Sequence, residues 1–167
     1  MDYRPWAMDQ HMIEIFTDGA SSGNPGPGGY GVILRSGQHY KELSEGFRKT
    51  TNNRMELLAV IKGLEAIKLP KQDVTIFSDS KYVIDAIEKR WVHGWVTKGF
   101  KGKKNKDLWL RYVEISKIHN IKFNWVRGHN GHPENERCDE LAVAAGKQKN
   151  LLIDSVFEIE NAKVNLL

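Results

Sequence analysis

Two segments of this chain share a pattern that restricts how it can fold: an apolar pair, then a hydroxyl residue, then an aspartate. They are Ile15-Phe16-Thr17-Asp18-Gly19 and Ile76-Phe77-Ser78-Asp79-Ser80. Each reads as a short buried strand whose end presents a carboxylate. An isolated buried carboxylate is costly, so a strand that ends this way needs a partner for the charge. Two such strands lying side by side bring both charges together, and their repulsion then demands a cation between them. A divalent metal meets that demand, and the geometry points to an enzyme.

The rest of the chain alternates strand and helix signals, which predicts an α/β domain with a five-stranded mixed sheet flanked by helices. Met12 to Thr17 forms the first strand. The glycine-rich stretch Gly23 to Gly31 makes a tight turn into a second strand, Tyr30 to Arg35. Ser36-Gly37 then signals a hairpin, and His39 to Phe47 returns as the third strand. Thr51 or Asn52 caps a helix that runs to about Lys68 and is closed by Pro70, with Leu57, Val60, Ile61, Leu64 and Ile67 at stripe spacing. A fourth strand covers Asp73 to Ser78, and helices follow over Ser80 to Lys89 and Lys106 to Ile118. Ile121 to Val126 is the fifth strand, and Pro133 opens a helix that ends near Gly146. Beyond Lys147 the periodicity fades, which predicts a loosely docked tail.

The 167 residues fit one domain, read as an extension over 1–11, a catalytic domain over 12–146 and a tail over 147–167. The lone Cys138 cannot form an internal disulfide, so nothing asks for an oxidising compartment. No apolar run approaches the roughly 20 residues of a membrane span, and the polar Met1 to Gln10 is unlike a secretory leader. A cytoplasmic protein with no membrane association is expected. The net charge of +4 hints weakly at an anionic partner, and its distribution is more informative: five lysines and no acid lie between Lys98 and Lys106.

Two further acids sit early in predicted helices: Glu56, after Thr51-Asn52-Asn53-Arg54, and Asp139, within Pro133-Glu134-Asn135-Glu136-Arg137-Cys138-Asp139. Taken singly, each acid has a plain structural role: Glu56 at a helix N-terminus, Asp139 in solvent, Asp18 or Asp79 in a turn or cap. His129, in Gly128-His129-Asn130-Gly131, can be a surface or packing residue. The glycine-rich stretch could cradle nucleotide phosphates, as in actin-like ATPases. It leads into a strand and not a helix, however, and no Walker lysine follows. Between Arg90 and Trp109, Trp91, Trp95, Phe100 and Trp109 are interleaved with Lys98, Lys101, Lys103, Lys104 and Lys106. This stretch is compatible both with an aromatic satellite core under a solvated lysine loop and with a surface that grips phosphates.

Read jointly, the blocks closely resemble the type 1 ribonuclease H family in its bacterial form. The resemblance is carried by Phe16-Thr17-Asp18-Gly19, the run Gly23 to Gly31, Thr51 to Leu57, Ser78-Asp79-Ser80, Trp125 to His129 and Gly131 to Asp139, in the family's order. It implies that Asp18, Glu56, Asp79 and Asp139 hold two Mg²⁺ ions, with Mn²⁺ as a possible substitute. Asp18 would be shared by both ions, Glu56 and Asp79 would lie on the side of the attacking water, and Asp139 would hold the second ion. Two metals about 4 Å apart can activate water, stabilise the leaving alkoxide and neutralise the phosphorane. Oxygen ligands suit these ions, and Cys138 reads as a packed residue.

By the same resemblance His129 assists turnover near the scissile phosphate. Asn24 and Asn52 would contact the minor groove of an RNA/DNA hybrid, and Thr51 a DNA-strand phosphate with Arg54 beside it. Residues 90–109 would form a basic handle on the DNA strand, using Trp91, Trp95, Lys98, Lys101, Lys103 and Lys104, with Gly99 to Asp107 shorter than usual. The implied activity is hydrolysis of the RNA strand to 5′-phosphate and 3′-hydroxyl ends with little sequence preference, by a monomer without an obligate protein partner. A non-catalytic hybrid-binding module would be expected to have a broken acidic set. A transposase-like DNA nuclease is disfavoured by Asn24 and Thr51-Asn52, which suit RNA/DNA recognition.

Overall fold

A computed structural model describes residues 12–127 and 132–166. Three strands lead: β1 (Met12–Ser21), β2 (Gly26–Ser36) and β3 (His39–Thr50). The first helix, α1 (Asn52–Glu65), is followed by β4 (Asp73–Ser78), then α2 (Lys81–Glu88), α3 (Trp91–Thr97) and α4 (Lys106–Ser116). The chain continues through β5 (Asn120–Trp125), α5 (Pro133–Gly146) and α6 (Ser155–Asn165). The strands form one mixed sheet in the order β3-β2-β1-β4-β5. β1–β2 and β2–β3 are antiparallel, whereas β1–β4 and β4–β5 are parallel. The expected five-stranded mixed sheet flanked by helices is therefore what the chain builds.

Alternation along β1 divides the core. Ile15 faces the large cluster that contains Val32, Ile76 and the buried side of α1, while Phe16 turns to the opposite face with Ile33 and Cys138 of α5. The middle of α1 is buried on nearly every side, from Met55 to Leu64, because it lies between the sheet and α4. A helix enclosed in this way has to be apolar well beyond a single stripe.

Several elements differ from the sequence expectation: β1 runs on to Ser21 and β3 to Thr50, and α6 forms in the tail. β2 begins at Gly26, inside the glycine-rich run, and not at Tyr30. That run is a strand because α5 lies almost in contact with it: a Cβ on Gly31 would come 2.2 Å from the carbonyl oxygen of Cys138. α1 stops at Glu65, short of Lys68, and residues 91–97 form a short helix where none was expected. The segment after Lys147, where periodicity fades, is tied down at several points, Glu158 among them, which accepts from Arg48 Nη2 (2.9 Å). Arg48 donates its backbone N–H to Leu152 O (2.9 Å), and Leu152 donates to Gly46 O (2.8 Å), which covers part of the β3 edge. Asp154, which precedes α6, is buried against α1.

Candidate active site

The register of β1 against β4 positions the two aspartates. Phe16 pairs with Phe77, their rings stack with centroids 4.7 Å apart, and two residues further along Asp18 lies beside Asp79. Glu56 reaches the same point from the second turn of α1. This approach requires glycine at position 19, where a Cβ would lie 2.3 Å from the backbone nitrogen of Glu56. Asp18, Glu56 and Asp79 each bring one carboxylate oxygen to within 4.8 Å of the others. Asp139, on α5 above the other side of the sheet, makes a carboxyl contact with Asp18. All four of the acids singled out in the sequence thus converge. His129 lies outside the described residues.

The electrostatics are those of a cation site. Burial, then the charges of Asp79 and Asp139, push the Asp18 carboxyl from an ordinary 3.8 up to about 8, against the opposing hydrogen bond from the Gly19 N–H (2.9 Å). Burial, then the charges of Asp18 and Asp79, hold Glu56 well above the usual carboxylate range. One oxygen of Glu56, Oε2, is buried without a hydrogen-bond donor among the described residues. An orphaned carboxylate oxygen among mutually repelling acids fits a divalent cation, and an all-oxygen donor set selects a hard one. Cys138 takes no part: its thiol donates to Phe16 O (3.3 Å), and burial pushes its titration upward.

The residues expected to bind substrate fall into two groups. Thr51 is the N-cap of α1, its hydroxyl accepting from Arg54 N (3.2 Å). Asn24 Oδ1 accepts from Asn52 N (3.1 Å), so the glycine-rich turn and the start of α1 present one exposed polar edge. Arg54 does not belong to that edge. Its side chain is 3% exposed and points inward, with Asp154 accepting from Nε (2.7 Å) and Nη2 (2.8 Å) and Asp107 accepting from Nη1 (2.9 Å) and Nη2 (2.8 Å). A guanidinium saturated by one buried and one half-buried carboxylate is a structural clamp and not a phosphate ligand.

The handle combines both readings of its sequence. Trp95, Phe100 and Trp109 pack against one another, with Trp95–Trp109 centroids 5.8 Å apart, while Trp91 and Lys98, Lys101, Lys103 and Lys104 are exposed. Lys103 Nζ sits 5.4 Å from the Trp95 ring centre. A cavity of about 380 Å³ opens between the start of α1, α2 and the handle, lined by Trp91, Trp95, Lys103 and Lys104 among the expected residues, but not by Lys98 or Lys101. Asn53, Tyr82 and Asn105 also line it and were not anticipated. The Tyr82 hydroxyl accepts from Asn105 Nδ2 (3.0 Å) and Trp109 Nε1 (2.9 Å), which ties the handle base to α2. Their one sequence signal is position, directly beside Asn52, Lys81 and Lys106.

Comparison with known proteins agrees with this geometry. The RNase H family model matches residues 10–147. Ribonuclease H of Desulforamulus reducens is 58% identical over 147 residues, covering 85% of this chain and 92% of the relative. Among solved structures, LC9-RNase H1, a type 1 RNase H with the type 2 active-site motif, superposes with a TM-score of 0.73 at 33% identity, covering 92% of this chain and 82% of the other. LC11-RNase H1, solved in complex with an RNA/DNA hybrid, gives 0.59 at 28% identity over 80% of this chain and 95% of its own. A carboxylate cluster built on adjacent strand ends, a matching sequence model and a shared fold lead to one assignment: the chain belongs to the ribonuclease H family, as a type 1 enzyme.

Proposed function

We propose that the protein hydrolyses the RNA strand of RNA/DNA hybrids at the carboxylate cluster, leaving 5′-phosphate and 3′-hydroxyl ends. The observation that carries this reading is the convergence of Asp18, Glu56 and Asp79, with Asp139 against Asp18, in a protein whose relative LC11-RNase H1 was solved with such a hybrid. Asp18, Glu56 and Asp79 would hold one Mg²⁺ and Asp18 with Asp139 a second, with Mn²⁺ as a substitute. Bound there, the ions supply water activation, leaving-group stabilisation and charge neutralisation.

The chain's own residues do the rest. Asn24 and Asn52, linked by a hydrogen bond, offer an exposed edge suited to the minor groove, where the 2′-OH of RNA both donates and accepts. Thr51 faces the DNA backbone, and the handle lysines with Trp91 and Trp95 hold the DNA strand electrostatically. None of these groups reads base identity, so cutting has little sequence preference. His129 moves a proton near the departing product. The enzyme acts as a monomer in the cytoplasm, needing no protein partner, and no helix among the described residues is long and apolar enough to cross a membrane.

The test is incubation with an end-labelled hybrid in Mg²⁺, alongside EDTA, duplex RNA and duplex DNA controls. Metal-dependent cutting of only the hybridised RNA supports the proposal, and Asp18→Asn should lower it by at least about 10³-fold. Undiminished cutting by that variant would remove the carboxylates from the mechanism.

A further inference from the structure

Beyond the handle, a second basic group flanks the carboxylates on the β5 side. Trp125 ends β5 and pairs with Ser78, the residue before Asp79; Val126 N donates to Ser78 O (2.9 Å) just after it. The indole is 45% exposed. Lys81 Nζ lies 5.6 Å from its ring centre, and Arg127 Cζ lies 5.9 Å from it. We propose that Lys81 and Arg127, held against Trp125, bind backbone phosphate of the strand that crosses the carboxylates, next to the phosphate that is cut. The identity of that strand rests on the hybrid-cleavage reading above.

Three observations carry the proposal. First, both cations are exposed, and neither makes an ion pair or side-chain hydrogen bond among the described residues; their contacts are with the ring. Among the described residues their charge is therefore not committed to a carboxylate. Second, Lys81 is the first residue of α2, where a cation opposes the helix dipole and an anion is favoured. Helix stability does not explain a lysine there, whereas a phosphate would be attracted by the side chain and the helix end together. Third, the position is right. Adjacent strands lie about 4.8 Å apart, and backbone charges follow at about 3.4 Å of axis per strand, so the group sits within roughly two nucleotides of Asp79.

The role of Trp125 follows from the same contacts. With cations resting against it, the ring supports two long side chains and is poorly placed to stack on a base. Each cation–π contact helps to fix its side chain against the ring. Lys81 also lines the handle cavity, so the basic surface runs from the handle across the start of α2 to the end of β5.

The experiment measures binding of a labelled RNA/DNA hybrid to full-length Asp18→Asn protein in Mg²⁺ across a range of KCl concentrations. Adding Lys81→Gln and Arg127→Gln should weaken binding about 10-fold or more at low salt. It should also flatten the dependence of log K on log[salt] by about 1.5, close to two lost phosphate contacts. A charge-matched control, Lys149→Gln with Lys163→Gln, should leave the slope unchanged. Trp125→Leu, which keeps both cations, should lose part of the slope. If the Lys81/Arg127 double variant matches the control, the phosphate site is refuted even where wild-type protein cuts the hybrid. If the slope falls but wild-type protein cuts nothing, the phosphate site stands and the hybrid-cleavage reading fails. Absence of any hybrid binding by the parent would refute both.

Discussion

Replacing Asp154 by alanine probes the clamp that anchors the C-terminal segment to α1. The Asp154 carboxylate accepts from Arg54 Nε (2.7 Å), Arg54 Nη2 (2.8 Å) and Thr50 Oγ1 (2.7 Å), with side chains 3% exposed for Arg54 and 10% for Asp154. Removing one partner of a buried pair costs about 3–5 kcal/mol, because the other charge stays buried and unpaired. Here the guanidinium keeps Asp107, whose own carboxyl is held below its ordinary value despite burial by the Arg54 hydrogen bonds. That retained partner limits the loss to the lower end, about 3 kcal/mol, including about 1 for the Thr50 hydroxyl left without its acceptor. Urea unfolding at pH 7 in EDTA should show the midpoint falling with the m-value unchanged, and thermal melting should drop by about 6–12 °C. In a double-mutant cycle with Arg54→Met, the coupling should be about 2 kcal/mol. A loss below 1 kcal/mol for Asp154→Ala alone would refute the clamp.

Ending the chain after Lys147 removes Asp154 together with the Leu152 bridge, so its stability should fall below that of Asp154→Ala in the same urea assay. In the metal-free protein Asp18→Asn should be stabilising. The folded-state titration of Asp18, near 8, lies above its unfolded value of 3.8, so the native state binds the extra proton and stability falls as pH rises between those values. At about 1.4 kcal/mol per unit the penalty at pH 7 is at most about 4 kcal/mol, and a gain of about 1–3 from asparagine is expected, vanishing near pH 4. Melting curves in EDTA at pH 4, 5.5 and 7 decide this; an asparagine variant no more stable than wild type at pH 7 contradicts it. Saturating Mg²⁺ should raise the melting temperature of the wild-type protein more at pH 8 than at pH 5.5, because the ion displaces those protons, and should do so far less in Asp18→Asn. Gly31→Ala should cost about 3 kcal/mol or more, since its Cβ would meet the Cys138 carbonyl at 2.2 Å; a normal denaturation midpoint would disprove the close contact.

What was legible in the sequence had local causes. The strands around Asp18 and Asp79 announce themselves through short apolar runs, and α1 through its cap at Thr51 and the apolar spacing that follows. The acids are legible because their residue types and their order in the chain are jointly unusual. What was not legible depends on distant partners. Arg54 looks like a solvent-facing cation beside Thr51, and only folding brings Asp107, 53 residues away, and Asp154, 100 residues away, onto its guanidinium. The glycines at 26, 28, 29 and 31 read as a turn by composition, whereas they lie in a strand where side chains have no room: α5 closes over Gly29 and Gly31, and a Cβ on Gly26 or Gly28 would meet the carbonyl oxygen of Ser22 or Ala20. α6 escaped for a different reason: none of its residues is buried, so it lacks the amphipathic contrast on which periodicity depends.

The pairing of β1 with β4 makes the separation of the two aspartates a stepwise quantity. Because the ladder fixes Phe16 opposite Phe77, Asp18 cannot drift relative to Asp79 by fractions of an ångström of backbone sliding. A slip by one residue turns one acid to the wrong face of the sheet, and a slip by two carries it about 6.6 Å along the strand, beyond the reach of a shared ion. Fine adjustment is left to side-chain length, one methylene at a time, as between the aspartates on the strands and the glutamate on α1. A lineage or a designer seeking a different ion spacing on this scaffold must exchange Asp for Glu, since the sheet itself offers no intermediate setting.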